Sequence, residues 1–152
     1  MLKLFLFFPI LLLSQDFFML PDEAENFQYT LNTQLKKAKS SIEIFSPFLD
    51  LYLTDKTLKQ MAKKGVKIDI ITQEKESKFS HLALFENINI FILNTSSKLK
   101  GTLICIDKDE LFLLSNSLEY KNLNRDYAFV LHTKEACQKS FKILKSRSLS
   151  KE

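Results

Sequence analysis

Hydrophobic positions along the chain switch between a period of two and a period of three to four, and the switches mark its elements. Phe17-Phe18-Met19-Leu20 is a short apolar run closed by Pro21, which predicts a first strand. Asp22 can cap a helix in which Ala24, Phe27, Leu31, Leu35 and Ala38 recur at helical spacing. Ser41 to Phe45 alternates as a strand and ends before Pro47. Thr54 opens a second helix, with Leu58, Met61 and Ala62 on one side and Gly65 as its stop. Val66 to Ile71 is the next strand, a short helix covers about Lys78 to Phe85, and Ile88 to Leu93 is again strand. After a polar stretch from Asn94 to Gly101 come three closely spaced strands, Thr102–Asp107, Glu110–Leu114 and Tyr127–His132. A closing helix from about Thr133 to Arg147 turns Cys137, Phe141 and Leu144 inward. Strand–helix–strand repeats predict an α/β domain with parallel neighbours and helices on the sheet. The Lys108-Asp109 turn makes the next pair a hairpin, so the sheet is expected to be mixed, though mostly parallel.

The first fourteen residues stand apart from this pattern. Met1 to Ser14 carries one lysine and then an apolar run from Leu4 to Leu13, including Pro9. As a helix the run would span about 15 Å, half of a ~30 Å bilayer core. A basic start followed by a short apolar core is the secretory pattern, so export is expected, to the periplasm or to a membrane-anchored position. Ser14 suits the last signal position, but Leu12 is large where a small residue is preferred, which leaves an uncleaved anchor open. The expected organisation is therefore a signal or anchor over 1–14, one domain over 15–147 and a frayed tail over 148–152. Export permits a bridge between Cys105, in an apolar strand, and Cys137, in a helix; each can equally pack as a small hydrophobe.

Composition removes several function classes. Gly65 and Gly101 are the only glycines, too few for a P-loop or a dinucleotide fingerprint. His81 and His132 are the only histidines, and the two cysteines cannot build a four-cysteine zinc site. A net charge of +4 is compatible with a polyanionic partner.

The order of elements, together with AKSSIEIFSPFLD, LKQMAKKGVKIDIIT and LKGTLICIDKDELFLLSNSLEYKNLNRDYAFVL, resembles the phospholipase D superfamily, above all its small exported Nuc-type endonucleases. The likeness runs from about Phe17 to Lys145. It implies a single phospholipase D-like domain, phosphodiester hydrolysis without metal or other cofactor, and pairing of two HxK(x)4D(x)6GSxN motifs, usually by dimerisation in chains this short. In that chemistry one histidine attacks phosphorus while its partner protonates the leaving oxygen. Lysine and asparagine offset the developing charge, and the aspartate orients the structure behind the histidine. Ile104 to Asp107 aligns with the strand that ends in the motif aspartate. The histidine slot then falls on Lys100, the lysine slot on Thr102, the glycine slot on Leu114, the serine slot on Ser115 and the asparagine slot on Ser117, with Asn116 one step early. Only Asp107 and Ser115 match. Thr102 cannot supply the lost cation, and an ammonium at Lys100 is no nucleophile at neutral pH. The motif is degenerate, and the expectation is an exported binding or partner module without catalysis; the alternative is a phosphodiesterase acting on nucleic acid or lipid through other residues.

Other chemistry is thin. His132-Thr133-Lys134 spells HxK, but the residue five beyond Lys134 is Lys139 and the triplet lies one hairpin past the slot. His81 reads as a partly exposed helix residue. Asp107, Asp109 and Glu110 read as solvated turn carboxylates, and Asp126 as the start of a strand near the old cleft. Lys56, Lys59, Lys63, Lys64 and Lys67 surround the second helix, and Lys139, Lys142, Lys145, Arg147 and Lys151 follow the last. They read as solvated faces able to give weak, sequence-independent nucleic-acid binding, with no interleaved aromatics to mark a stacking platform. A homodimer, or a heteromer with a related domain, is expected through a motif edge that presents Thr102, Leu114 and Ser117. Membrane association is expected only through the N-terminal segment.

Overall fold

Three β-branched runs, each preceded by a helix or turn, set up the centre of the molecule. In the computed structural model, which describes residues 16–20, 22–50, 52–73, 80–93, 95–123 and 126–150, these runs are parallel neighbours. They are β2 (Ser41–Phe45), β3 (Lys67–Thr72) and β4 (Ile88–Leu93). On the other side of β2 the sheet turns antiparallel through β5 (Thr102–Ile106), β6 (Glu110–Leu114), β7 (Tyr127–His132) and β1 (Asp16–Met19). A strand β8 (Ser148–Ser150) closes the far edge against β4, giving the order β1-β7-β6-β5-β2-β3-β4-β8. The sheet is mixed, as expected, but antiparallel pairs outnumber parallel ones, because only the β2–β3–β4 unit is linked by crossovers long enough for parallel pairing.

Helices α1 (Ala24–Lys37) and α2 (Tyr52–Lys63) cover one face, and α3 (Lys134–Ser146) lies on the other. Alternation along each strand divides the core accordingly. Ile42, Ile44, Ile68, Ile70, Ile104 and Phe112 meet Phe27, Leu31, Leu35 and Met61 beneath α1 and α2. Phe45, Ile71, Cys105 and Leu111 meet Cys137 and Phe141 beneath α3. There the two cysteines form a disulfide, with Cα atoms 5.8 Å apart.

Several local expectations are corrected. Glu23, not Asp22, takes the N-cap position of α1, and its carboxylate turns back to accept the Met19 N–H at 2.8 Å. The second helix starts at Tyr52, two residues before Thr54. The segment after β3 contains a 3-10 turn over Ser80–Leu84. Residues 148–150 are an edge strand where fraying was expected, because Arg147 ends α3 and lets the chain turn back onto β4; residues 151–152 lie outside the described residues. The 1–14 segment also lies outside them.

Lys145 explains how α3 tolerates the polar positions of the sheet face beneath it. Its ammonium sits between the carboxylates of Glu43 on β2 and Asp69 on β3. Asp69 also accepts from the Asn89 amide on β4 at 2.9 Å. Burial alone would lower the lysine's pKa, but the two carboxylates hold it above its usual value. This lysine is therefore part of the packing between α3 and the sheet, not of a free basic face.

Candidate functional site: a sealed motif slot

The carboxyl ends of β2, β3 and β4, the start of β5, the end of β6 and the start of β7 meet at one end of the sheet, where open α/β sheets usually hold ligands. All the motif slots but that of Asp107 lie at this end. Thr102 begins β5 beside Leu114 of β6. Its single hydroxyl proton faces two acceptors, the Asn116 carbonyl at 2.9 Å and Ser46 Oγ at 3.0 Å. Ser46, wholly buried after β2, donates to the Phe48 carbonyl and accepts the Leu118 N–H at 2.8 Å. Thr102 is only 1% exposed, so the position that would hold a cation is an interior hydroxyl set against two other segments of the fold. Gly101 beside it has φ +87°, and a Cβ there would meet the Leu114 carbonyl oxygen at 2.9 Å, so the loop must reach the sheet through a glycine.

The remaining slots divide between surface and scaffold. Lys100 is exposed at the end of a loop that Gln73 fastens, donating to the Ser97 carbonyl and accepting from the Leu99 N–H. Leu114 is buried, and Ser117 is half-buried with its carbonyl accepting from the Asn122 amide. The expected edge of Thr102, Leu114 and Ser117 is thus no edge. β5 and β6 are interior strands of the sheet, and their inward residues are already covered by this chain. Ser115 and Asn116 are held by Asp126, which accepts both backbone N–H groups, the Ser115 hydroxyl and the N–H of Tyr127. At 3% exposed, Asp126 is a buried clamp on the turn rather than a group facing the cleft.

Asp107 lies at the opposite end of β5, where the chain takes positive φ at Asp107 and Lys108 to enter β6. Its carboxylate accepts the N–H groups of Lys39, Ser40 and Ser41 and the Ser40 hydroxyl, all within 3.1 Å. Burial pushes its pKa up, and these hydrogen bonds more than reverse that, leaving it below the ordinary aspartate value. It fastens the α1–β2 turn to the β5–β6 hairpin and is not one of a cluster of freely solvated turn carboxylates. Because the folded state holds its proton less tightly than the unfolded chain, Asp107 stabilises above the unfolded aspartate pKa. That contribution is lost as pH falls through the lowered value. Asp107→Ala is expected to cost about 2 kcal/mol at neutral pH, the scale of hydrogen bonds to a charged group. The deficit should shrink below about pH 4, which urea unfolding of both proteins at pH 7 and pH 3 would measure.

His132 belongs to that same far end. It pairs across the ladder with Glu110, and its Nδ1 is 3.9 Å from the Asp109 carboxylate. Burial holds the Glu110 pKa above its ordinary value. Thr133 caps α3 by accepting the Ala136 N–H, and Lys134 is the helix's first residue. The HxK triplet is therefore a helix start, a full strand length from the slot. His81 sits on the 3-10 turn with Nε2 3.0 Å from Asp55 of α2, whose carboxylate also meets Lys59 at 2.9 Å.

Residues that pattern reading passed over are those doing the sealing, Ser46 above all. Its position between a strand and Pro47 was visible, but its partners lie 56 and 72 residues away.

No family model and no curated protein sequence matches the chain. Solved structures do. NucT from Helicobacter pylori is similar over 90% of this chain and 98% of its own, with TM-score 0.76 at 17% identity. Nuc from Salmonella typhimurium, a phospholipase D family member, is similar over 91% and 98%, with TM-score 0.74 at 15% identity. TrmBL2, an archaeal chromatin protein, matches 90% of this chain with 53% of its own, at TM-score 0.66 and 13% identity. The strand order, the helix layers and the match with NucT and Nuc over nearly their whole length together show that this chain has the Nuc-type phospholipase D-like fold.

Proposed function

We propose that this chain is an exported, catalytically degenerate phospholipase D-like domain that works by pairing with a second domain of the same fold. The reading is carried by one contrast. The histidine slot holds an exposed lysine and the lysine slot a buried hydroxyl, while an apolar face on the α3 side of the sheet is left open.

That face is the part of the sheet that α3 does not cover. Phe17 and Met19 of β1 and Tyr127 and Phe129 of β7 lie on the α3 side and remain 37–53% exposed. Their rings already contact one another, Phe17 with Phe129 at 4.9 Å and Tyr127 with Phe129 at 5.6 Å. A continuous aromatic face of this kind marks an interaction surface. A second copy fits it because a two-fold axis sets one patch against the same patch of its partner, so the four apolar side chains of each cover those of the other. The Cys105–Cys137 bridge supports export, since such bonds persist in oxidising compartments.

Sedimentation of the full chain is expected to show a dimer at micromolar concentration. Phe129→Lys places a charge in the middle of the face at a partly exposed position the fold can tolerate. It should weaken self-association by at least about tenfold, since each large apolar side chain buried there contributes ~1.5–3 kcal/mol. A wild type that stays monomeric at high micromolar concentration would refute self-pairing.

A further inference from the structure

The helix layer carries a second feature, on the face of the sheet opposite the pairing surface. Between α1 and α2 lies a cavity of about 700 Å³, within the size range of small-ligand sites. Tyr29 of α1, 75% exposed, and Tyr120, 67% exposed on the 3-10 turn over Tyr120–Asn122, both line it. Glu25 and Gln28 share their stripe of α1 with Tyr29, and Gln60 of α2 adds a second side-chain amide. Lys36 and Lys56 line the same cavity, and among the described residues neither ends in an ion pair. Asn32 of α1 accepts the Thr57 hydroxyl of α2 at 2.6 Å, which ties the two helices together beneath the groove. None of the described residues that line it is aliphatic.

We infer that this groove binds a short oligosaccharide bearing sparse carboxylates, with pyranose rings laid on Tyr29 and Tyr120 and a sugar carboxylate held by Lys36 and Lys56. A phenol ring presents a negatively polarised face, which attracts the C–H groups that cover the flat face of a pyranose. The rim of a pyranose carries hydroxyls, each both donor and acceptor. Gln28, Gln60 and Glu25 supply amide donors and oxygen acceptors to match them. An aliphatic ligand would find no apolar wall here. Two lysines against one glutamate leave the groove a single net positive charge. That balance suits an occasional acid among neutral rings and opposes a backbone charged at every unit. Periodicity along the chain does not reveal the platform, because Tyr29 and Tyr120 lie far apart in sequence and only the fold brings them to one groove.

The test is an NMR titration of the full chain with a hyaluronan tetrasaccharide, in which neutral N-acetylated rings alternate with glucuronates, read on the ring signals of the two tyrosines. Binding on the order of 1 mM is expected, as an open groove with few contacts allows. Tyr29→Ala and Tyr120→Ala should each weaken it about tenfold, the loss of one stacked ring, while Tyr29→Phe should bind as wild type does. Chitotetraose, which has no carboxylate, should bind about threefold more weakly, the scale of an exposed ion pair. Both tyrosines are exposed, so circular dichroism should show all three variants folded. Ring signals unmoved at about 10 mM sugar, alanine variants equal to wild type, or chitotetraose binding as tightly as hyaluronan would each overturn the proposal. So would a short oligothymidylate that displaces the sugar at equal concentration, since the groove would then be reading a phosphate backbone.

Discussion

Removing the Cys105–Cys137 bridge is expected to lower the unfolding free energy by about 3–4 kcal/mol. The bridge joins residues 32 apart in sequence, and the loop-entropy relation for a closed loop of that length gives this figure. Both cysteines are wholly buried, so Cys105→Ala/Cys137→Ala leaves no unpaired polar group behind and the loss reports the cross-link. At ~2–4 °C per kcal/mol for a chain this long, melting should fall by roughly 10 °C. Reductant should shift the wild type by a similar amount and leave the alanine pair unmoved. Two titratable thiols in the denatured protein, purified without reductant, would show that the bond does not form and would sink the prediction. The location of the bridge makes the effect structural. It fastens the first turns of α3 to β5, next to the Glu110 carbonyl, which lies 3.8 Å from Cys137 Sγ, at the end of the sheet opposite the motif slot.

The elements were legible in the sequence because their periodicity is uninterrupted. β2, β4, β6 and β7 occupy the spans their alternation predicts, and α1 and α3 bury the residues that recur at helical spacing. What failed depends on tertiary geometry. β8 has three residues with little hydrophobic signal, and only the turn after α3 brings it onto β4. The choice between a disulfide and two packed thiols could not be made from spacing, since Cα separation is set by how α3 crosses β5. The balance of parallel and antiparallel pairs was misjudged because β1 pairs with β7, β2 with β5 and β4 with β8, all antiparallel and all between strands distant in sequence.

The site divides in the same way. The absence of histidine at the motif was visible directly, since it is a fact about residue types. The consequence of that absence was not. A degenerate motif suggested an apolar edge open to a partner, but Thr102 and Leu114 face into the protomer, and the open face is built from Phe17, Met19, Tyr127 and Phe129. Asp107 shows the limit of motif matching most clearly. It occupies the motif position, yet its four donors all come from the α1–β2 turn, so what it holds in place here is a turn rather than a reacting group.

Wild-type protein is expected to give no turnover of a chromogenic phosphodiester above background, and restoring the motif residues should not rescue it. A paired family member contributes two histidines and two lysines at the slot, whereas a pair of this chain contributes two Lys100 and two Thr102. Losing an acid–base group costs ~10²–10⁴-fold in rate, and losing the nucleophile removes the covalent route altogether. The geometry adds a second barrier. Thr102→Lys would put an ammonium where a 1%-exposed hydroxyl now bonds Ser46 and the Asn116 carbonyl, displacing both contacts in a space shaped for a threonine. An uncompensated buried charge costs about 3–5 kcal/mol, so this variant should be strongly destabilised. Lys100→His, at an exposed loop position, should fold normally and remain inactive. The decisive measurement is turnover and melting of wild type, Lys100→His and Lys100→His/Thr102→Lys side by side. A double variant that melts like wild type and hydrolyses the substrate would mean that the slot is open and only its residues were lost. Turnover by wild type that disappears in His132→Ala would instead place the chemistry at the start of α3, a strand's length from Thr102.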